Sequence, residues 1–420
     1  MRYGDTILHN IMLLQQEKLV EYFENNGYPF ASCTTTALIN EMYDKLLIEL
    51  SLIIEIGHYV ILERVDADVD GKTKPSVISH LMLFKANSIY RQRNIDRGIR
   101  RLNRAGIVSI TRQPYPALDT RGKWSIVIGA KDMPATSVSG VLGYADEKLS
   151  GDIEFSSRNI AGTGRAASFS VYVSESDREI EIYYREPFIG NVNIAPDIYS
   201  SWEKYDSTYS TREHKLGVNF PLSFELDSYI GLVVRRTVPG IAGSAVLHSE
   251  EFGLEGGLTY TTLNHPTLPT RGVKISTSIT GEYLHRWGSN DTEEIGSNGG
   301  ASAIMAIPTM MWLSLWFRAA GWGWLKPTIP PESDWEYIGG WQNLRGYREN
   351  QFSGCRLVWG TLEPRIIPVQ SIHIFPFMDF GSYRDSEKWN TKIGYGAGVE
   401  FLYGGGVFSI EYGIGAVSYT

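Results

Sequence analysis

From Thr136 onward, apolar and polar residues alternate in segments of roughly ten, separated by Gly, Asn, Asp and Pro, and this period of two commits the region to β-strands. Ile393, Tyr395, Ala397, Val399 and Phe401 alternate with Lys392, Gly394, Gly396, Gly398 and Glu400, so one face is apolar and the other polar or empty. The same scheme runs through Ile180 to Tyr184, Val273 to Tyr283 and Phe408 to Ile414. Segments fall near 136–144, 148–158, 163–174, 178–188, 190–201, 207–220, 224–236, 247–262, 272–286, 298–307, 310–322, 354–365, 370–382, 392–402 and 405–417.

A soluble sandwich also alternates. Aromatics near segment ends (Tyr183, Tyr184, Trp202, Tyr205, Trp322, Trp324) fit interfacial girdles instead, and predict a sheet whose apolar face meets lipid. Such a sheet must close on itself, because hydrocarbon satisfies no backbone group, and its charged residues must face the interior. The longest apolar run, Met310 to Trp324, contains Ser314 and Arg318 and is too short for a membrane helix. The N-terminus is a poor secretory signal, since His9 and Asn10 interrupt its apolar run.

The first third reads differently. Leu13 to Asn26 has helical spacing and stops at Gly27 and Pro29, and Leu47 to Ile56 alternates as a half-buried strand. A strand over His58 to Val65, helices over Ser76 to Phe84 and Asn94 to Ala105, and strands near Ile107 to Arg112 and Lys123 to Lys131 follow. The helix with Arg91, Arg93, Arg97, Arg100, Arg101 and Arg104 carries Ile95, Ile99 and Leu102 as its buried stripe, which makes the arginines a solvated face. Docking to an acidic partner or anionic head groups is the rival reading. A net charge of −8 gives no global field for a polyanion, so nucleic acid is not an expected partner.

Gly339-Gly340 followed by Leu344-Arg345-Gly346-Tyr347, then Glu363-Pro364-Arg365, then Phe377-Met378-Asp379-Phe380-Gly381, form an ordered set. It resembles the surface-antigen superfamily of outer-membrane assembly and translocation proteins, which includes BamA-type, TamA-type and two-partner-secretion transporters. In that resemblance the first motif lies on a long loop that folds back into the barrel, and the other two on the twelfth and thirteenth strands. Asn159 to Gly164, Glu186-Pro187-Phe188 and Pro269-Thr270-Arg271-Gly272 resemble further signposts of the second, fourth and ninth strands. The implied fold is mainly β: a transmembrane antiparallel β-barrel over 134–420, from a family of sixteen strands, preceded by small α+β POTRA modules. Residues 58–133 resemble one module and 1–57 part of another. With 405–417 as the fifteenth strand, the chain is expected to be a fragment, short at both ends and lacking its closing strand.

Arg345 has a physical case of its own. A guanidinium at a loop tip can pair bidentately with a carboxylate, which Asp379 or Glu363 could supply inside a barrel; Gly346 permits a sharp turn and Tyr347 a wedge. On spacing alone an ordinary exposed Arg-Gly turn fits as well. Gly339, Gly340, Phe377 and Gly381 support the site in the resemblance. Elsewhere, Gly394-x-Gly396-x-Gly398 is no nucleotide loop, because no helix follows, and Glu282 and His285 fall on opposite faces of a strand. Cys33 and Cys355 make neither a zinc site between them nor a disulfide framework. No catalytic frame, metal site or cofactor is expected. The resemblance implies an outer-membrane protein of a Gram-negative-type envelope, with modules in the periplasm and with unfolded outer-membrane or secreted proteins, membrane lipid and accessory lipoproteins as partners. Assembly of barrel proteins is the expected function; a two-partner-secretion pore is the alternative, though no plug helix is recognised, and a passive porin would need neither modules nor the Arg-Gly-Tyr motif.

Overall fold

The computed structural model describes residues 7–42, 45–145, 148–174, 177–241, 246–266, 268–288, 291–326, 330, 334–369, 371–403 and 406–416. The chain divides into two compact units, Met1–Leu102 with Ser109–Lys131, and Asn103–Val108 with Asp132–Thr420. The boundary expected at 57/58 falls inside the first unit.

That unit begins with α1 (Ile7–Glu24), longer at its start than its apolar spacing suggested, and a hairpin of β1 (Ser32–Met42) and β2 (Lys45–Glu55). The alternation in β2 predicted a half-buried strand. In fact Leu52, Ile53 and Ile54 are all exposed, because β2 pairs only with β1 in a two-stranded sheet, with no further strand beside it among the described residues. The rest is β3 (Ile61–Asp70), α2 (Pro75–Leu81), β4 (Ser88–Ile89), α3 (Gln92–Ala105), β5 (Val108–Leu118) and β6 (Trp124–Asp132), with sheet order β4-β3-β6-β5 and β3 parallel to β6. The expected strand-helix-helix-strand-strand order is present, with β4 as an addition too short to leave a periodic signal. Pro75 starts α2, where its missing N–H costs nothing. In α3 the buried stripe is Ile95, Gly98 and Leu102; Ile99 is only half-buried, because Gly98 lets the helix approach the Met82 backbone.

Among the described residues, the second unit is built on one antiparallel sheet of fifteen strands. In chain order these are β7 (Thr136–Ala145), β8 (Lys148–Ile160), β9 (Arg165–Val173), β10 (Asp177–Arg185), β11 (Ala195–Tyr205), β12 (Tyr209–Pro221), β13 (Leu226–Pro239), β14 (His248–Thr261), β15 (Gly272–Trp287), β16 (Thr292–Met310), β17 (Leu313–Trp324), β20 (Arg356–Val369), β21 (Ile372–Arg384), β22 (Trp389–Tyr403) and β23 (Gly406–Gly415). Each follows its predecessor, and the short β18 (Glu336–Ile338) and β19 (Phe352–Gly354) pair with each other inside the connection from β17 to β20. The sheet curls until its end strands, β7 and β23, come within 8 Å Cα–Cα, yet no ladder joins them among the described residues.

The alternation sorts side chains as expected. Register places Ile275, Ile279 and Tyr283 of β15 on one outward face with Tyr260 and Phe252 of β14, all exposed, whereas Glu282 points inward and is buried. Outward-facing apolar side chains on strand after strand give a lipid-facing band, and nine residues per tilted strand, as in β9 and β10, suffice to cross one. The aromatic girdle needs correction. Tyr184 and Trp202 face outward, but Tyr183, Tyr205, Trp322 and Trp324 lie on the inward parity of their strands. Neighbours such as Tyr183 and Tyr184 must point to opposite faces, so nearness to a segment end does not reveal the side. The three further signposts sit at strand ends: Asn159 to Gly164 forms the turn from β8 to β9, Glu186 follows β10, and Gly272 opens β15. No described helix is long and apolar enough to cross a membrane.

Candidate functional site

The site is the long connection 325–355, whose two arms pair as the β18–β19 hairpin and whose tip carries Arg345. The tip's shape follows from its glycines. Gly339 and Gly340 have φ of +134° and +95°, which side-chain-bearing residues rarely adopt. Gly339 N–H donates to the Asn343 side-chain oxygen at 2.8 Å, and Gly340 and Leu344 exchange backbone bonds of 3.2 and 3.1 Å. This tight turn drives Leu344, fully buried, against Ile338 and Leu357. Gly381 on β21 makes the space: a Cβ there would lie 2.7 Å from Ile338 Cδ1 and 3.1 Å from Leu344 Cδ2.

Arg345 then enters a cage of carboxylates from three strands. Its Nε and Nη2 donate to Asp379 Oδ2 and Oδ1, both at 2.7 Å, and its backbone N–H donates to Oδ2 at 2.9 Å. Nη2 lies 2.9 Å from Glu363 Oε1 on β20, and Nη1 donates to Glu411 Oε2 on β23 at 2.6 Å. The guanidinium covers the Phe377 ring at 3.5 Å from its centroid. Arg345 is 6% exposed and Asp379 0%. In so dry a setting a bidentate pair is strong once made and costly to break.

Glu363 is shared. Its other oxygen, Oε2, accepts from Arg365 Nε at 2.8 Å, and Arg365 Nη1 reaches Glu400 of β22 at 2.7 Å while its plane lies over Trp316. Two arginines and four carboxylates therefore form one network across β20, β21, β22 and β23. Of these, Glu400 and Glu411 were not singled out from the sequence. The available signal was parity: each is an acid on a face where its strand otherwise presents mostly glycine or small residues.

The glycines of β22 and β23 form the mould for the tip. A Cβ on Gly394 would strike the Arg345 carbonyl, one on Gly413 would lie 2.8 Å from Gly346 N, and one on Gly415 2.7 Å from the Tyr347 ring. Gly346 itself, at φ +91°, presses on the β23 backbone, where its own Cβ would sit 2.5 Å from Gly415 N. Tyr347 closes the fit, its phenol within 3.0 and 2.9 Å of the Ile393 and Ala416 carbonyls and its ring edge-on to Phe352.

The other arm is tied elsewhere. Asp334 Oδ2 accepts from Arg286 Nη2 on β15 at 2.6 Å, and its carbonyl accepts from Trp324 Nε1 at 3.2 Å. The Tyr337 hydroxyl meets that of Tyr209 on β12 at 2.8 Å, and its ring stacks near Tyr205 of β11. The connection thus spans the interior from β11, β12 and β15 to β20–β23. Among the described residues, no group of side chains could hold a metal ion.

The Omp85 superfamily domain model matches residues 135–418. Among solved structures, CdiB from Acinetobacter baumannii aligns with 17% identity and a TM-score of 0.60, covering 99% of this chain and 79% of that one. CdiB from Escherichia coli aligns with 14% identity and a TM-score of 0.61, covering 96% and 80%. BamA from Haemophilus ducreyi lacking POTRA domains 1-3 aligns with 15% identity and a TM-score of 0.53, covering 100% and 92%. At such identities these structures speak for the fold, whereas the domain model spans well over half of the sequence: the chain belongs to the Omp85 superfamily of outer-membrane β-barrel proteins.

Proposed function

We propose that the protein assembles other β-barrel proteins into the outer membrane. The observation that carries this reading is the connection 325–355, which occupies the barrel interior with its Arg345 tip held by Asp379, Glu363 and Glu411. A filled interior favours handling of substrate strands by the sheet over passage through the lumen. The Arg345 tip works as a latch in this reading: through Glu411, Gly413 and Gly415 it grips β23. The α+β sheet β4-β3-β6-β5 acts as a periplasmic POTRA module that receives unfolded chains by β-augmentation before delivery.

A dedicated two-partner-secretion transporter is the second reading, favoured by the likeness to the two CdiB barrels, and it would require the connection to leave the interior. Depleting the protein in its host, followed by quantitative proteomics of the outer membrane and medium, separates the two. A broad fall in many barrel proteins is the expected result; loss of one secreted protein with the barrels unchanged would sink the assembly reading.

A further inference from the structure

On the outward face, exposed bases gather on four neighbouring strands. At the end of the barrel that carries the connection 325–355, Arg178 of β10, Lys204 of β11, Arg212 of β12 and Arg236 of β13 stand on four successive strands, all outward and all exposed. Register puts Arg178 directly opposite Lys204, and Arg212 directly opposite Arg236. Like charges in directly opposed positions of an antiparallel ladder repel and destabilise it, so such pairs need an anion from outside the sheet.

The barrel does not supply enough of one. Arg178, Lys204 and Arg212 make no ion pair with another described residue, and Arg236 has only Glu250, 3.5 Å away on β14. The acids nearest in sequence, Glu179, Glu203 and Glu213, have the opposite parity and point into the interior. Each base also borders the apolar band: Ile180 follows Arg178 by two positions on the same face, Trp202 precedes Lys204 and lies directly opposite Arg212, and Val234 precedes Arg236. A long cationic side chain at the margin of an apolar band reaches head-group depth, with an indole among the cations as an interfacial anchor. At the other end of the same strands the outward positions are Tyr184, Pro196, Phe220 and Ser228, none of them basic.

We propose that Arg178, Lys204, Arg212 and Arg236 form a docking site for the phosphate groups of an anionic membrane lipid in the leaflet on the long-connection side. The occupant is a lipid rather than a free anion because the four bases border the apolar band, so a molecule bound there places acyl chains against the neighbouring isoleucines and valines while its phosphates neutralise the opposed cations. The site rests on the reading of the barrel as membrane-embedded, and not on whether its substrates are inserted or exported.

The test uses the full chain inserted in phosphatidylcholine vesicles doped with lipid A, whose sugar head carries two phosphates. After extraction into zwitterionic detergent, native mass spectrometry counts the lipid A retained per protein. Retention by the unaltered protein is expected to fall about fivefold for each base removed in the pairs Arg178→Ser with Lys204→Ser and Arg212→Ser with Arg236→Ser. Lys388→Ser, in an exposed turn, is expected to change nothing. A protein that inserts but retains lipid A equally in all variants overturns the site and leaves the membrane reading intact. A chain that inserts in no vesicle overturns both. Displacement of lipid A by inorganic phosphate at equal concentration would reassign the site to free phosphate and overturn the lipid.

Discussion

The two arms of the connection 325–355 are held by opposite arrangements of charge. At the tip and second arm, the connection supplies the cation, Arg345, and the wall supplies Asp379, Glu363 and Glu411. At the first arm the buried pair runs the other way, with Asp334 on the connection and Arg286 on the wall, while the partly exposed Lys326 pairs with Glu294 of β16 and a tyrosine pair helps. The tip is clasped by several charged groups at once within a glycine mould, whereas the first arm rests on one main ion pair and on rings. Redundancy at the tip and thrift at the other end imply that the first arm releases more readily.

The most damaging change tests the tip. Arg345→Ala leaves Asp379 buried without its cation and Glu363 with Arg365 alone, and should cost about 3–5 kcal/mol, read as a lowered urea midpoint of the detergent-solubilised barrel by tryptophan fluorescence. Asp379→Asn in the Arg345→Ala background should add far less than it does alone; additive losses would deny that the two act directly on each other. Next is the mould. Gly394→Ala sets a methyl group against the Arg345 carbonyl and should cost about 1–3 kcal/mol, so a barrel as stable as the parent would mean that the tip does not sit there. Smaller again, Tyr337→Phe removes one hydroxyl from the first arm and should cost about 0.5–1.5 kcal/mol; a loss exceeding that of Arg345→Ala would reverse the ranking of the arms. At the bottom, Arg64→Ala removes the exposed pairs with Asp66 and Asp119 in the α+β unit and should leave the barrel midpoint where it was.

How far the sequence spoke depended on what kind of signal each feature leaves. All fifteen described barrel strands overlap predicted segments, though β16 (Thr292–Met310) runs well past the 298–307 expected, because a two-residue period repeated along two thirds of a chain is hard to counterfeit. The tip was visible because glycines punctuate it and because its partners carry their own short motifs. The first arm was not, since Asp334 and Tyr337 lie in no recurrent pattern and meet Arg286 and Tyr209 only through the curl of the sheet. Tyr205 and Trp324 were assigned to the lipid side for a related reason: composition says that an aromatic lies near a strand end, and only register says which way it faces. The hairpin of β1 and β2 marks a third limit, because alternation promises a partner layer without providing one.

Gly394, Gly413 and Gly415 recognise the tip by what they lack. A surface that identifies its guest through missing atoms has an uneven mutational neighbourhood: every single-residue replacement adds matter and none can deepen the recess. Drift at these three positions therefore runs in one direction, toward eviction of the tip, whereas the carboxylates around Arg345 can share a loss among themselves. At the glycine wall, unlike the charge cage, every variation has the same sign.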